Sequence, residues 1–83
     1  MDDKRTVTRQ RTLKGATIAF SEGQFTYKCL VKNLSAVGAS LELPSTDGVP
    51  NAFKLVFDDR SPTRTCKVIW RNPKRLGVEF LLG

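Results

Sequence analysis

The sequence contains no histidine. That absence removes the commonest general base and the commonest metal ligand together. Cysteine is scarce as well: Cys29 and Cys66 stand far apart with no C-x-x-C, and two lone thiols make a poor zinc site. Both share the parity of apolar neighbours and read as small buried hydrophobes rather than nucleophiles. Long apolar runs are missing, so neither a signal peptide nor a membrane span is expected. The reading is a cytoplasmic chain with reduced thiols and no metal or cofactor. Acidic residues are few, 8 against 14 basic, which leaves a net charge of +6. A small basic domain usually meets an anion: nucleic acid, nucleotide, phospholipid or acidic protein. Asp58-Asp59 and Glu79 are the acids closest to a catalytic pair. The first two read as a turn and the third alternates with apolar residues, so no enzyme activity is expected.

What is present is a period of two. The 83 residues suffice for one core. Residues 1–12, "MDDKRTVTRQRT", hold a single apolar residue besides Met1, namely Val7. Such a segment cannot offset its ordering entropy and reads as a flexible arm. From Leu13 onward, alternating strands are expected near 13–20, 25–33, 38–43, 52–58, 64–71 and 75–81. Turn chemistry separates them: Gly23, Asp47-Gly48, Pro62 and Asn72-Pro73. A sheet of six short strands manages its edges by closing, so residues 13–83 predict an all-β, small six-stranded antiparallel β-barrel. A helical turn is expected only within residues 46–52. Alternation puts Phe25, Tyr27 and Trp70 on the core face, and leaves Leu30, Val56 and Ile69 outside as scattered apolar residues or a docking patch.

Two polar clusters remain. Arg5-x-x-x-Arg9 lies in the arm, followed by Arg11. The same spacing recurs at Arg60/Arg64 and Arg71/Arg75, where a solvated basic loop is the simple explanation. Asn33, Ser35 and Gly38 form N-x-S-x-x-G between the second and third strands. By itself this is a self-bonded polar turn. In order and in strand context, the two motifs resemble the PilZ family, whose signature is R-x-x-x-R before the first strand and [D/N]-x-S-x-x-G between the second and third. The likeness runs through "RTLKGATIAF", "CLVKNLSAVGASLEL", "CKVIW" and "RLGVEF". It implies a six-stranded barrel that binds cyclic di-GMP, a bacterial second messenger, through Arg5, Arg9, Asn33, Ser35 and Gly38, with an unidentified output protein as partner. Lys4 and Arg11 are auxiliary contacts, and a basic residue at the position of Lys4 accompanies two stacked ligand molecules in such proteins. The family position held by Asn33 also takes Asp, and Asn supplies no charge to a guanine N–H pair.

The residue chemistry suits that ligand. Arginine forks onto guanine O6 and N7 or onto phosphate. Asn33 offers a donor and an acceptor. Ser35 suits phosphate or a base edge, and Gly38 permits close backbone approach or a positive φ. Two other functions compete: a PilZ-like adaptor without ligand, and a small basic barrel for single-stranded nucleic acid. The intact motifs argue against the first. The core parity of the aromatics argues against the second, which needs stacking surfaces.

Overall fold

A computed structural model describes residues 10–81, with side chains from Lys14 onward. Six strands follow one another: β1 (Gln10–Phe20), β2 (Phe25–Leu34), β3 (Gly38–Glu42), β4 (Ala52–Phe57), β5 (Arg64–Asn72) and β6 (Arg75–Leu81). They close into an antiparallel barrel in the order β1-β2-β3-β6-β5-β4, with β4 returning to β1. Closure leaves no free sheet edge, which is how a basic chain of this size keeps its strands from pairing with another copy. The first strand begins at Gln10, three residues ahead of the onset expected from alternation at Leu13. Arg11 is thereby a strand residue, paired with Asn33. No helix occurs among the described residues. The expected helical turn within 46–52 is instead a tight turn with Gly48 at φ 87°, closed by Val49 N donating to Thr46 O.

Alternation fills the barrel. Ile18, Val31, Leu41, Leu55, Cys66 and Leu76 are fully buried, one or more from every strand. Each such side chain contributes about 1.5–3 kcal/mol through the water it sheds. Leu41→Ala is expected to cost about 2–5 kcal/mol in urea unfolding, because the closed wall cannot collapse onto the cavity. The cysteines belong to this core. Burial pushes the Cys66 thiol up to about 12 and the Cys29 thiol to about 11, from an ordinary value of 9.0. Both thiols are therefore neutral in the fold. Because their folded values are raised, the stability they confer is complete below pH 9 and is lost as pH rises through 9 towards 11 and 12. Denaturation at stepped pH should show a flat profile to about pH 8, then a decline that is shallower in Cys66→Val.

Two arginines expected in solvated loops are structural. Arg71 donates to Thr46 O at 2.8 Å, Val49 O at 2.8 Å and Asn51 Oδ1 at 3.0 Å. It pins the 44–51 loop, which inserts Val49 into the core. Arg64 lies over the Phe80 ring at 4.6 Å and points Nη2 at Ala36 O, 3.4 Å away. It props the turn between β2 and β3 from the barrel end.

Strict alternation fails at three bulges, the first on β1 between Arg11 and Lys14. Val31 pairs with Leu41 and Asn33 with Ser40, so two steps on β2 match one on β3 and Lys32 is the extra residue. Val68 pairs with Val78 and Trp70 with Gly77, so Ile69 is the extra residue on β5. Each inserted residue flips everything beyond it to the other face. Trp70 is thus moved from its expected core position to the outside, where it is 45% exposed. Phe25 and Tyr27 keep the parity of Cys29, opposite Phe20 and Ile18, but lie at the β1–β2 hairpin end, where they stack with Phe20 and are exposed to solvent.

Candidate functional site

The bulges at Lys32 and Ile69 aim at the same place. Across the outer surface, the cross-strand partners run Asn33 on β2, Ser40 on β3, Gly77 on β6 and Trp70 on β5. One step along lie Gly38 on β3, Glu79 on β6 and Lys67 on β5. Small residues in the middle and larger ones at the sides make a trough. It is an open groove of about 380 Å³, lined among others by Asn33, Ser35, Ser40, Trp70, Gly77 and Glu79. That volume lies within the range of small-molecule sites, roughly 300–1,000 Å³. Gly77 is required by the indole: a Cβ there would run into the Trp70 ring. A large flat side chain resting on a glycine across the strand is held in place from beneath and leaves its other face to solvent.

The N-x-S-x-x-G stretch forms one end of the trough. Ser35 Oγ accepts from Val37 N and Gly38 N, each at 3.2 Å, and faces Gly38 O at 3.3 Å. Ser35 N donates to Gly38 O at 2.9 Å. The hydroxyl expected to meet phosphate or base is therefore first the bond that shapes the turn. Gly38 is needed for close approach rather than for a positive φ: an added Cβ would meet Val78 O, with Glu79 Cα at 3.4 Å. Asn33 is half-buried at the groove wall, turned outward by the Lys32 bulge, and Lys32 itself pairs with Glu42 at 3.1 Å.

The remaining site candidates lie at the arm. Lys4, Arg5 and Arg9 fall outside the described residues. Their point of attachment is described: Gln10 pairs with Leu34 and Arg11 with Asn33, so the arm joins the barrel beside the motif turn. Pairing of β1 with β2 thus sets Gln10 and Arg11, the residues that follow Arg9 in the chain, beside the N-x-S-x-x-G stretch. The sequence reading missed Trp70, Ser40 and Glu79. The signal for Trp70 was the run "VIW", three apolar residues that break alternation, opposite Gly77.

The two acids of the turn after β4 are engaged. Asp58 takes Lys28 at 3.2 Å and Asp59 takes Lys14 at 2.9 Å. The Ser61 hydroxyl and then Lys14 hold the exposed Asp59 carboxyl well below the usual range. No cluster of three or more metal-ligating side chains occurs among the described residues, and no described helix is long and apolar enough to cross a membrane.

Comparison with known proteins agrees with this geometry. The model of the PilZ domain matches residues 3–83. Among solved structures, the PilZ domain of CeSA from a cellulose-synthesizing bacterium is similar, with a TM-score of 0.70 and 12% identity over 93% of this chain and 83% of that one. At that identity the likeness concerns the fold. No curated protein matches the sequence.

Proposed function

The chain belongs to the PilZ family, a family of cyclic di-GMP receptor modules, and on that premise we propose that it binds cyclic di-GMP in the groove between Asn33 and Trp70. The arm closes over the ligand, and the reshaped surface is read by an output protein. The observation that supports this most is the β1–β2 register, which roots the arm beside the N-x-S-x-x-G turn. Arg5 and Arg9 take phosphate and guanine from the solvent side, with Lys4 and Arg11 as auxiliary contacts. Asn33 meets a base edge, and the Ser35–Gly38 turn presents backbone close to the ligand. Trp70 offers the exposed ring on which a base stacks. Loss of such stacking costs about 1–3 kcal/mol, so Trp70→Ala should weaken binding by that amount in calorimetry while the circular dichroism of the barrel persists.

Binding in this scheme needs no catalysis. The arm contributes charge, and the barrel contributes shape. Ordering entropy is met only on closure, so amides of residues 4–9 should exchange fast without ligand and slowly with it. Titration of the purified chain tests the reading. Cyclic di-GMP should saturate it at physiological salt and bind better than GMP, GTP or a short oligonucleotide. Tighter oligonucleotide binding that collapses as salt rises would favour the nucleic-acid function instead, since counterion release governs such affinity.

A further inference from the structure

A domain with a net charge of +6 has, among the described residues that line its groove, one charged side chain, and it is an acid: Glu79. Its neighbours explain why it stands open. On β3 it is paired with Gly38, which has no side chain to cover it, and on β5 with Lys67. The Lys67 ammonium and the Glu79 carboxylate do not form an ion pair of the kind that Lys14, Lys28 and Lys32 make with Asp59, Asp58 and Glu42. Glu79 is exposed, on the outward side of β6 between the buried Val78 and Phe80.

A carboxylate in an anion-binding groove is unfavourable unless it faces donors. A phosphate beside it would be repelled. The Watson–Crick edge of guanine is different: N1–H and the 2-amino group are adjacent donors, spaced for the two oxygens of one carboxylate. Asn33, across the trough, carries an amide and no charge. With Trp70 providing a stacking face on the same stretch of sheet, Glu79 provides the in-plane acceptor. We propose that Glu79 is a specificity-determining residue that reads the N1–H and 2-amino donors of one guanine and repels the phosphates from its end of the groove. This rests on the reading of the groove as a cyclic di-GMP site.

Calorimetric titration of the full chain with cyclic di-GMP and with its inosine analogue, which lacks the 2-amino groups, separates the possibilities. The wild-type chain should prefer cyclic di-GMP at least about tenfold, as expected when a charged acceptor loses its donor. Glu79→Gln, nearly isosteric and exposed, should lower cyclic di-GMP affinity about tenfold and narrow the preference to within about threefold. Lys67→Ala serves as the control and should leave the preference unchanged. Wild-type affinity and preference in Glu79→Gln would overturn the role of Glu79 and leave the cyclic di-GMP site standing. Equal loss for both ligands would also overturn it, since the carboxylate would then be acting on the arm or the fold rather than on the base. A Lys67→Ala chain that loses the preference would assign the effect to the cross-strand pair. No binding of either ligand by the wild-type chain would overturn the site and the inference together.

Discussion

A chain lacking residues 1–9 is expected to keep its barrel and lose cyclic di-GMP. Every described core side chain lies at or beyond Ala16, and strand pairing begins at Gln10. The truncated chain retains all six strands and their register, so its β signature and most of its unfolding free energy should persist. What it loses is Arg5 and Arg9. A hydrogen bond to a charged group is worth about 1.5–3 kcal/mol, so each single change to alanine should weaken binding about tenfold or more. Removing both, with Lys4, should take the affinity beyond a calorimetric titration. The cut is placed before Gln10 because Gln10 and Arg11 are strand residues; cutting after Arg11 would remove their pairing with Leu34 and Asn33 and confuse arm with barrel. If the shorter chain unfolds, the arm is structural. If it binds normally, the ligand sits elsewhere. Arg60→Ala should change little, since that exposed residue sits in the turn after β4 at φ 72°. Arg64→Ala should have an intermediate effect, because its guanidinium props Ala36 in the motif turn.

The second large effect is expected at Gly38. A valine there must push its Cβ into Val78 O, and backbone cannot swing aside as a flexible side chain would. Strands β3 and β6 would have to part where they form the groove floor. Overpacking of this kind costs about 1–3 kcal/mol, a large share of what a small domain has. Gly38→Val should therefore lower the midpoint of thermal unfolding and abolish binding even at temperatures where it is folded. Gly77→Ala makes an instructive contrast: its Cβ meets the Trp70 ring, a side chain that can move. It should disturb Trp70 fluorescence and weaken binding with a smaller loss of stability. Equal tolerance of both substitutions would mean that the trough floor is not the site.

Much of this was legible in the sequence because a half-buried strand writes its burial into alternate residues. Ile18, Val31, Leu41, Leu55, Leu76 and Val78 are buried as their parity demands. Leu30, Val56 and Ile69 are exposed as theirs demands. The clash at Gly38 was legible in part, as a choice between close approach and positive φ that packing against Val78 decides. The outward turn of Trp70 was not, because parity counts residues along one strand whereas face is set by partners across two. Lys32 and Ile69 each add a residue that the neighbouring strand lacks. The same fact conceals the groove: Asn33 and Trp70 are carried to one outer face by bulges on different strands. Arg71 and Arg64 were obscured for another reason. Their acceptors, Thr46, Val49 and Ala36, are backbone carbonyls of remote loops, and carbonyls leave no mark in a sequence.

The most direct test is a residue-resolved NMR titration of the full chain with cyclic di-GMP at physiological salt. Amides of residues 4–9, the Asn33–Ser40 stretch, Gly77 to Glu79 and the Trp70 indole should shift together and saturate with one binding curve. Lys54 and Val56, on the outer face of β4 and absent from the groove lining, should stay still. Shifts centred on β4, or shifts at the groove with the arm unaffected, would contradict an arm and a trough that form one site.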